Sequence, residues 1–190
     1  DSGNRIKVNR SITDGEEGRF VASTIWEEKI RESIHLAGFQ LSGLAYEEAK
    51  QALPAITETY QLVAENYASL TGKRMFITPN VLSRGGDKLD PSYARKLPIQ
   101  LYDAFQQTDT VRLDIPAGYS IESGIDPIRL QSDFGAYERS VQLNGTQLVL
   151  VRKYTQQKGL FAAKTYTAFA QFMNNVYKSD RAQLVLLKKE

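Results

Sequence analysis
The residues that could run a reaction in this chain are few, and the first is His35, its single histidine. Imidazole is the side chain whose ordinary titration range lies near neutral pH, so His35 offers general acid–base chemistry. Ser33 stands close by, but a serine nucleophile of the hydrolase kind needs a Gly-x-Ser-x-Gly turn, and none occurs. The chain has no cysteine, which removes the thiol nucleophile, thiolate zinc and iron–sulfur ligation, and disulfides together. His35 therefore reads as a structural histidine, with no nucleophile to serve.

Carboxylates fare no better as a catalytic set. Glu16-Glu17, Glu27-Glu28 and Glu47-Glu48 are adjacent pairs whose side chains project apart, which suits a solvated face better than a glycosidase acid and base. Asp87 and Asp90 follow Gly85-Gly86 and could ligate calcium, but the stretch lacks the ligand density and terminal glutamate of a calcium-binding loop. Thr71-Gly72-Lys73 matches the end of a phosphate-binding loop, yet Tyr67 occupies the position of its first glycine and a strand follows in place of a helix. No catalytic, cofactor or metal residue is assigned. Ten tyrosines and one tryptophan leave a stacking surface as the remaining candidate, with Trp26, Tyr60, Tyr67 and Tyr119 as its members.

The elements that would position these residues are mostly strands. Arg5 to Ile12 alternates and ends at Asp14-Gly15, and Arg19 to Trp26 is β-branched and aromatic, which suggests an opening strand pair. Lys29 to Leu36 fits either period and is read as a strand. Leu44 to Leu53, free of breakers, capped by Ser42 and stopped by Pro54, is predicted to be helical. Thr57 to Tyr67 and Lys73 to Thr78 are expected to pair, and Tyr60, Leu62 and Ala64 share a face.

Signals sharpen in the second half. Val111, Leu113 and Ile115 alternate with polar residues before Pro116 and Gly118, as in a half-buried strand. Tyr137 to Leu143 and Gln147 to Tyr154 flank Asn144-Gly145, the dipeptide of a type I′ hairpin turn. Leu148 to Val151 is continuously apolar, which predicts cover on both faces. Tyr166, Phe169, Met173, Val176 and Tyr177 recur at helical spacing, so a helix near 165–178 supplies cover, and Leu184 to Leu187 is a last strand.

These elements predict an α+β architecture that is mostly antiparallel β: two β-sandwich-like subdomains with one helix packed on the C-terminal sheet. The division expected is 1–82 with a short helix, a connection over 83–92 marked by Gly85-Gly86 and Pro91, and 93–190. Twenty-four basic and 22 acidic residues nearly cancel and are interleaved, which disfavours nucleic acid or an anionic membrane as partner. No apolar stretch reaches the roughly 20 residues of a membrane helix, and residues from Asp1 onward are not signal-like.

One resemblance adds context. Arg95 with Leu97-Pro98-Ile99, Ile115-Pro116 with Gly118-Tyr119, Phe134-Gly135 before Tyr137, Tyr166 with Phe169, and Leu184-Val185-Leu186 before Lys188 occur in an ordered series. In that order the stretch from Arg95 to Lys189 resembles the C-terminal domain of unknown function that follows the transglutaminase-like core in Gram-negative envelope proteins. Glu65-Asn66-Tyr67-Ala68 through Gly72 to Pro79-Asn80 resembles the β segment upstream of it. The resemblance implies a C-terminal portion of a longer periplasmic or envelope protein, with any signal peptide outside this chain. It implies a non-catalytic accessory module that supports or positions the papain-like core, whose own cysteine, histidine and aspartate have no counterpart here. The alternative is a module that binds glycan by stacking or peptide by edge-strand addition.

Overall fold
The structure, a computed structural model, describes residues 5–14, 28, 30–36, 38–49, 55–64, 67–82, 84, 86–124 and 126–189. It is mostly antiparallel β with one long helix. A seven-stranded sheet has the order β2-β3-β1-β7-β11-β10-β9, with β1 Arg5–Asp14, β2 Phe39–Ala49, β3 Ala55–Ala64, β7 Phe105–Asp114, β9 Ile128–Ser132, β10 Gly135–Asn144 and β11 Gln147–Gln156. A four-stranded sheet has the order β4-β5-β13-β8, from Ser69–Thr71, Arg74–Ile77, Leu184–Lys188 and Tyr119–Ser123. β6 (Ile99–Leu101) and β12 (Gly159–Phe161) form a separate ribbon. A single 3₁₀ turn leads into helix α1, Tyr166–Asp180.

Strand period explains why one face of the large sheet is the core. Tyr60, Val8, Val111, Leu150 and Val141 are register partners across five strands, and all five side chains are buried. They meet Met75, Ile77, Leu184 and Leu186 of the small sheet, with Ile30, Ile34, Val81 and Leu82 filling between. A second cluster lies further along the same face, where Phe172 and Val176 of α1 cover Phe134, Tyr137, Tyr154 and Ile99. Each such side chain contributes about 1.5–3 kcal/mol when fully buried.

Several expectations require correction. Residues 30–33 are helical, not a strand: Ile30 and Ile34 both reach the core while Glu32, which a strand would put on the same face, is exposed. The predicted helix from Leu44 is instead part of β2. Residues 43 and 44 together face Tyr60, where the β2–β3 register shifts. Gly43 there has φ of 63°, the left-handed glycine of a G1 bulge that lets the strand continue. The proposed strand over Arg19 to Trp26 lies outside the described residues. β3 and β5 do not pair with each other: β3 joins β1 and β2, and β5 joins β4 and β13.

Three corrections concern the second half. The 10–11 hairpin forms, but Asn144 pairs with Gln147, so the two-residue loop is Gly145-Thr146. Gly145 (φ 62°) takes the first loop position, where both primed hairpin turns require a positive φ. The apolar run 148–151 is covered on one face only: Leu148 and Leu150 are buried while Val151 is exposed. Phe172 replaces Tyr177 as the deeply buried aromatic of α1. The 83–92 connection does not separate two sheets, since β1 hydrogen-bonds to β7 from Ile6↔Leu113 to Asp14↔Phe105. Part of that connection packs on α1, where Asn174 brackets Leu89 by accepting from its N–H (2.9 Å) and donating to its carbonyl (2.8 Å).

Removing residues 1–72 strips β1 from β7 and leaves a ten-residue strand edge with Val111 and Leu113 uncovered. We expect residues 73–190 alone to lose the cooperative thermal transition of the full chain. A sharp, reversible melt of that fragment would contradict the sheet order. Gly135→Ala tests the 10–11 ladder more finely: a Cβ there runs into the Thr155 carbonyl. A loss of about 1–3 kcal/mol in urea unfolding is expected.

Candidate functional site
Strand register assembles a feature that no local pattern displays. One step along from the apolar row of Tyr60 and Val111, the inner face carries Glu58 on β3 and Asp109, Arg152 and Arg139 on β7, β11 and β10, with position 10 of β1 the register partner of both Glu58 and Asp109. Glu58, Asp109, Arg152 and Arg139 are all buried. The next row returns to Ile56, Ile12, Gln107, Tyr154 and Tyr137. A transverse line of charge therefore divides the two apolar clusters.

Helix α1 closes this line with its C-terminal end. Arg152 donates from Nε and Nη2 to Asp180 Oδ1 and Oδ2 (2.7 and 3.0 Å) and from Nη1 to Asp109 Oδ2 (3.2 Å). The Tyr137 hydroxyl adds a 2.8 Å bond to Asp180 Oδ1, and Arg139 donates to the Ser179 carbonyl at 3.1 Å. Cations at a helix C-terminus also meet the negative end of its dipole. The Arg152 guanidinium lies 5.5 and 5.7 Å from the Tyr137 and Tyr154 ring centroids, within cation–π range.

The electrostatics follow. Burial disfavours the charged form of Arg152, but the hydrogen bonds and charge of Asp180, with Asp109 behind, reverse this and raise its pKa. Burial first, then the Asp180 charge, pushes the Tyr137 hydroxyl up. Burial likewise raises Tyr154, against the pull of Arg152, and Tyr67, against the pull of Arg84. The Arg152, Tyr137 and Tyr154 protons are thus held more firmly than in water.

Beside the charged row lies a cavity of about 410 Å³. Its sheet wall is Phe105, Gln107, Arg152, Tyr154 and Gln156, its helix wall Met173 and Val176, and its rim Ser33, His35, Arg84 and Gly86. His35 and Arg84 also line a second cavity of about 270 Å³ with Tyr67, Phe76 and Gln183. His35 is exposed, its Nδ1 3.1 Å from the Ser33 carbonyl, and its backbone N–H donates to Val81. Among the described residues no carboxylate lines either cavity, so His35 has no acid or base partner there. No group of three potential metal ligands occurs among the described residues. Asp90 instead accepts from the Ser92 hydroxyl and N–H, which hold its carboxyl below the usual range.

The four aromatic candidates are not brought together. Tyr60 is fully buried in the core between the sheets. Tyr67 is half-buried with its hydroxyl donated to the Thr78 carbonyl, Tyr119 is half-buried at the start of β8, and Trp26 lies outside the described residues. Sequence reasoning passed over Asp109, Arg152, Arg139, Asp180 and Arg84. A signal was present for two of them: Asp109 falls in step with Val111 and Leu113, and Arg152 with Leu148 and Leu150, a charge at an apolar register position in each strand.

Removing Arg152 leaves two buried carboxylates facing each other without their cation. Arg152→Met is expected to cost about 3–5 kcal/mol in urea unfolding, and Tyr137→Phe about 1.5–3 kcal/mol, the range for a hydrogen bond to a charged group. Alkali gives an independent check. Unfolded tyrosine ionises near 10.0, whereas folding keeps Tyr67, Tyr137 and Tyr154 protonated above that value. The unfolded chain therefore loses protons first, and stability should fall as pH rises past 10, with fewer than all ten tyrosines ionising before the unfolding step. Full ionisation of a chain that still shows native circular dichroism would refute this picture.

Comparison with known proteins gives one match. No curated protein and no solved structure is similar enough to match. The family model described as Domain of Unknown Function with solved-structure structure (DUF3858) matches residues 73–186. That stretch takes in the small sheet from β5 onward, the β6–β12 ribbon, β7 to β11 and α1, together with Asp109, Arg139, Arg152 and Asp180 of the charged row. It leaves out β1, β2 and β3, which complete the same large sheet. Covering more than half of the 190 residues, the match shows that the chain belongs to the DUF3858 family.

Proposed function
We propose that this chain is a non-catalytic accessory module of a longer cell-envelope or periplasmic protein, docked on an upstream transglutaminase-like core that it supports or positions. The observation that carries the reading is an apolar strip on the outside of the β6–β12 ribbon. Leu160 is the register partner of Gln100, and Tyr102 is its diagonal neighbour on the same face. Leu97, Tyr102 and Leu160 are each roughly 70% exposed, and Tyr93, four residues before Leu97 in the chain, is 60% exposed. Large side chains held this far into water are unusual in a cluster and mark a surface that a partner covers.

The strip is also held in shape. Arg95 donates to the Leu97 and Pro98 carbonyls (2.9 and 3.2 Å) and stands over the Tyr166 ring at 5.6 Å, while Tyr93 meets Tyr166 edge-on at 5.7 Å. A pre-ordered apolar patch loses little entropy on docking. Interdomain faces of about 600–1,500 Å² with polar rims are of the size such a patch nucleates.

Calorimetric titration of the module with the separately expressed upstream core tests the reading. Saturable binding with a negative heat-capacity change is expected. Leu97→Ser/Leu160→Ser should abolish it while moving the module's own unfolding free energy by no more than about 0.5 kcal/mol, as for surface changes generally. Absence of binding between two folded partners would end the docking proposal.

A further inference from the structure
We infer that the cavity between α1, the inner face of β7 and β11, and the residues Ser33, His35, Arg84 and Gly86 is a binding site for a carboxylate carried on a small apolar body. The volume of about 410 Å³ lies within the range of small-molecule sites, which pair an apolar lining with a few placed polar groups. Phe105, Met173 and Val176 supply the apolar part; Arg84, Gln107 and Gln156 supply the polar part.

Arg84 decides the chemistry. Its Nη2 donates to the His35 carbonyl at 3.3 Å, but its Nε–H is buried and meets no acceptor among the described residues. A buried donor left unpaired is costly, and a charged one more so. The other arginine on the lining, Arg152, is already matched by Asp109 and Asp180 behind it. An entering anion would therefore find Arg84 in need of an acceptor and Arg152 satisfied. The site is also preset: Arg181 Nη1 donates to the Arg84 carbonyl, and the His35 N–H is fixed on Val81 at 3.0 Å. No carboxylate lines the cavity among the described residues; Asp109 and Asp180 lie behind Arg152, which is bonded to both.

Two sources share this chemistry, a free apolar acid and the C-terminal carboxylate of a peptide ending in a large apolar residue. The chain contains two methionines, which makes the test self-controlled: Met173 lines the cavity and Met75 lies in the inter-sheet core. The full chain with labelled methionine methyls would be titrated with 3-phenylpropionate, 3-phenylpropanamide, Gly-Gly-Phe and its C-terminal amide. We expect saturable movement of the Met173 methyl with an acid and not with its amide, and no movement of Met75.

Arg84→Gln should weaken that binding by about tenfold or more, as loss of a charge-assisted hydrogen bond does. Gly86→Leu provides a second route. A Cβ at Gly86 meets nothing within 4 Å, so the variant can fold while its side chain fills the rim. Response to the free acid alone assigns a small-molecule ligand, and an equal or stronger response to Gly-Gly-Phe assigns a chain terminus. Failure of both acids to saturate, equal binding of acid and amide, or undiminished binding in both variants would overturn the assignment. Loss of docking to the upstream core would not touch it, since the strip at Leu97 and Leu160 contributes nothing to this lining.

Discussion
Arg152 and Asp109 face each other directly across the β7–β11 ladder, and the rest of the molecule is arranged around keeping that pair paired. Strand pairs of alternating pattern are protected against slips of one residue, because such a slip sends the apolar set to the wrong face. A slip of two residues keeps every side chain on its face and is the harder error to exclude. Here it would set Arg152 against Val111 or Gln107, and Asp109 against Leu150 or Tyr154, stranding buried charges. The apolar rows define the face; the charged row defines the register along it. Replacing a buried ion pair by well-packed apolar groups is often neutral in stability. Specification of register is therefore the stronger account of what the pair contributes here. Asp180 extends the same logic to α1, because only one placement of the helix end satisfies Arg152, Tyr137 and Arg139 together.

The order of strands gives this constraint a long reach. β1 lies in the middle of the large sheet between β3 and β7, and β13 lies in the middle of the small sheet between β5 and β8. Each sheet is thus incomplete until an end segment of the described chain is inserted. Position 10 of the inserted strand is the register partner of both Glu58 and Asp109, so the two halves of the row are joined through β1. Pairings this distant in sequence incur loop-closure entropy before their contacts form, which makes folding slow relative to a helical protein of the same size. The matched family segment lacks β1 to β3 and is therefore not a closed sheet by itself.

Legibility in the sequence followed the range of the forces involved. The 10–11 hairpin, β7, α1 and β13 were readable because turn chemistry and periodicity act within a few residues. Even so, the hairpin loop shifted by one position, since the register of ten paired residues outweighs the turn preference of Asn144. β2 was misread because its composition favours a helix, while pairing with β3 and the Gly43 bulge favour a strand, and tertiary pairing prevailed. Residues 30–33 were misread because two isoleucines four apart satisfy both periods until burial is known. The aromatic candidates scattered for a related reason: Tyr60 has the composition of a surface stacker and the register of a core residue. The charged row was legible only as single charges out of step with their strands, because its alignment depends on four registers at once.

The cavity lies where these two levels of organisation meet. Its floor, Gln107, Arg152 and Tyr154, comes from the charged row and the row beyond it, inside the matched family segment, and so does its helix wall. Ser33 and His35 come from outside that segment, fixed by the His35–Val81 hydrogen bond. An occupant would touch both parts at once and would bind only when the N-terminal strands are assembled on β7. By mass action, any ligand selective for that assembled state stabilises it by RT ln(1 + [L]/Kd). A ligand here would thereby strengthen the junction between β1 to β3 and the family segment without altering a single strand contact. The exposed strip at Leu97, Tyr102 and Leu160 belongs wholly to the family segment. Occupancy of the cavity and docking at the strip are thus separate in residues, the strip lying on the β6–β12 ribbon and the cavity between the large sheet and α1.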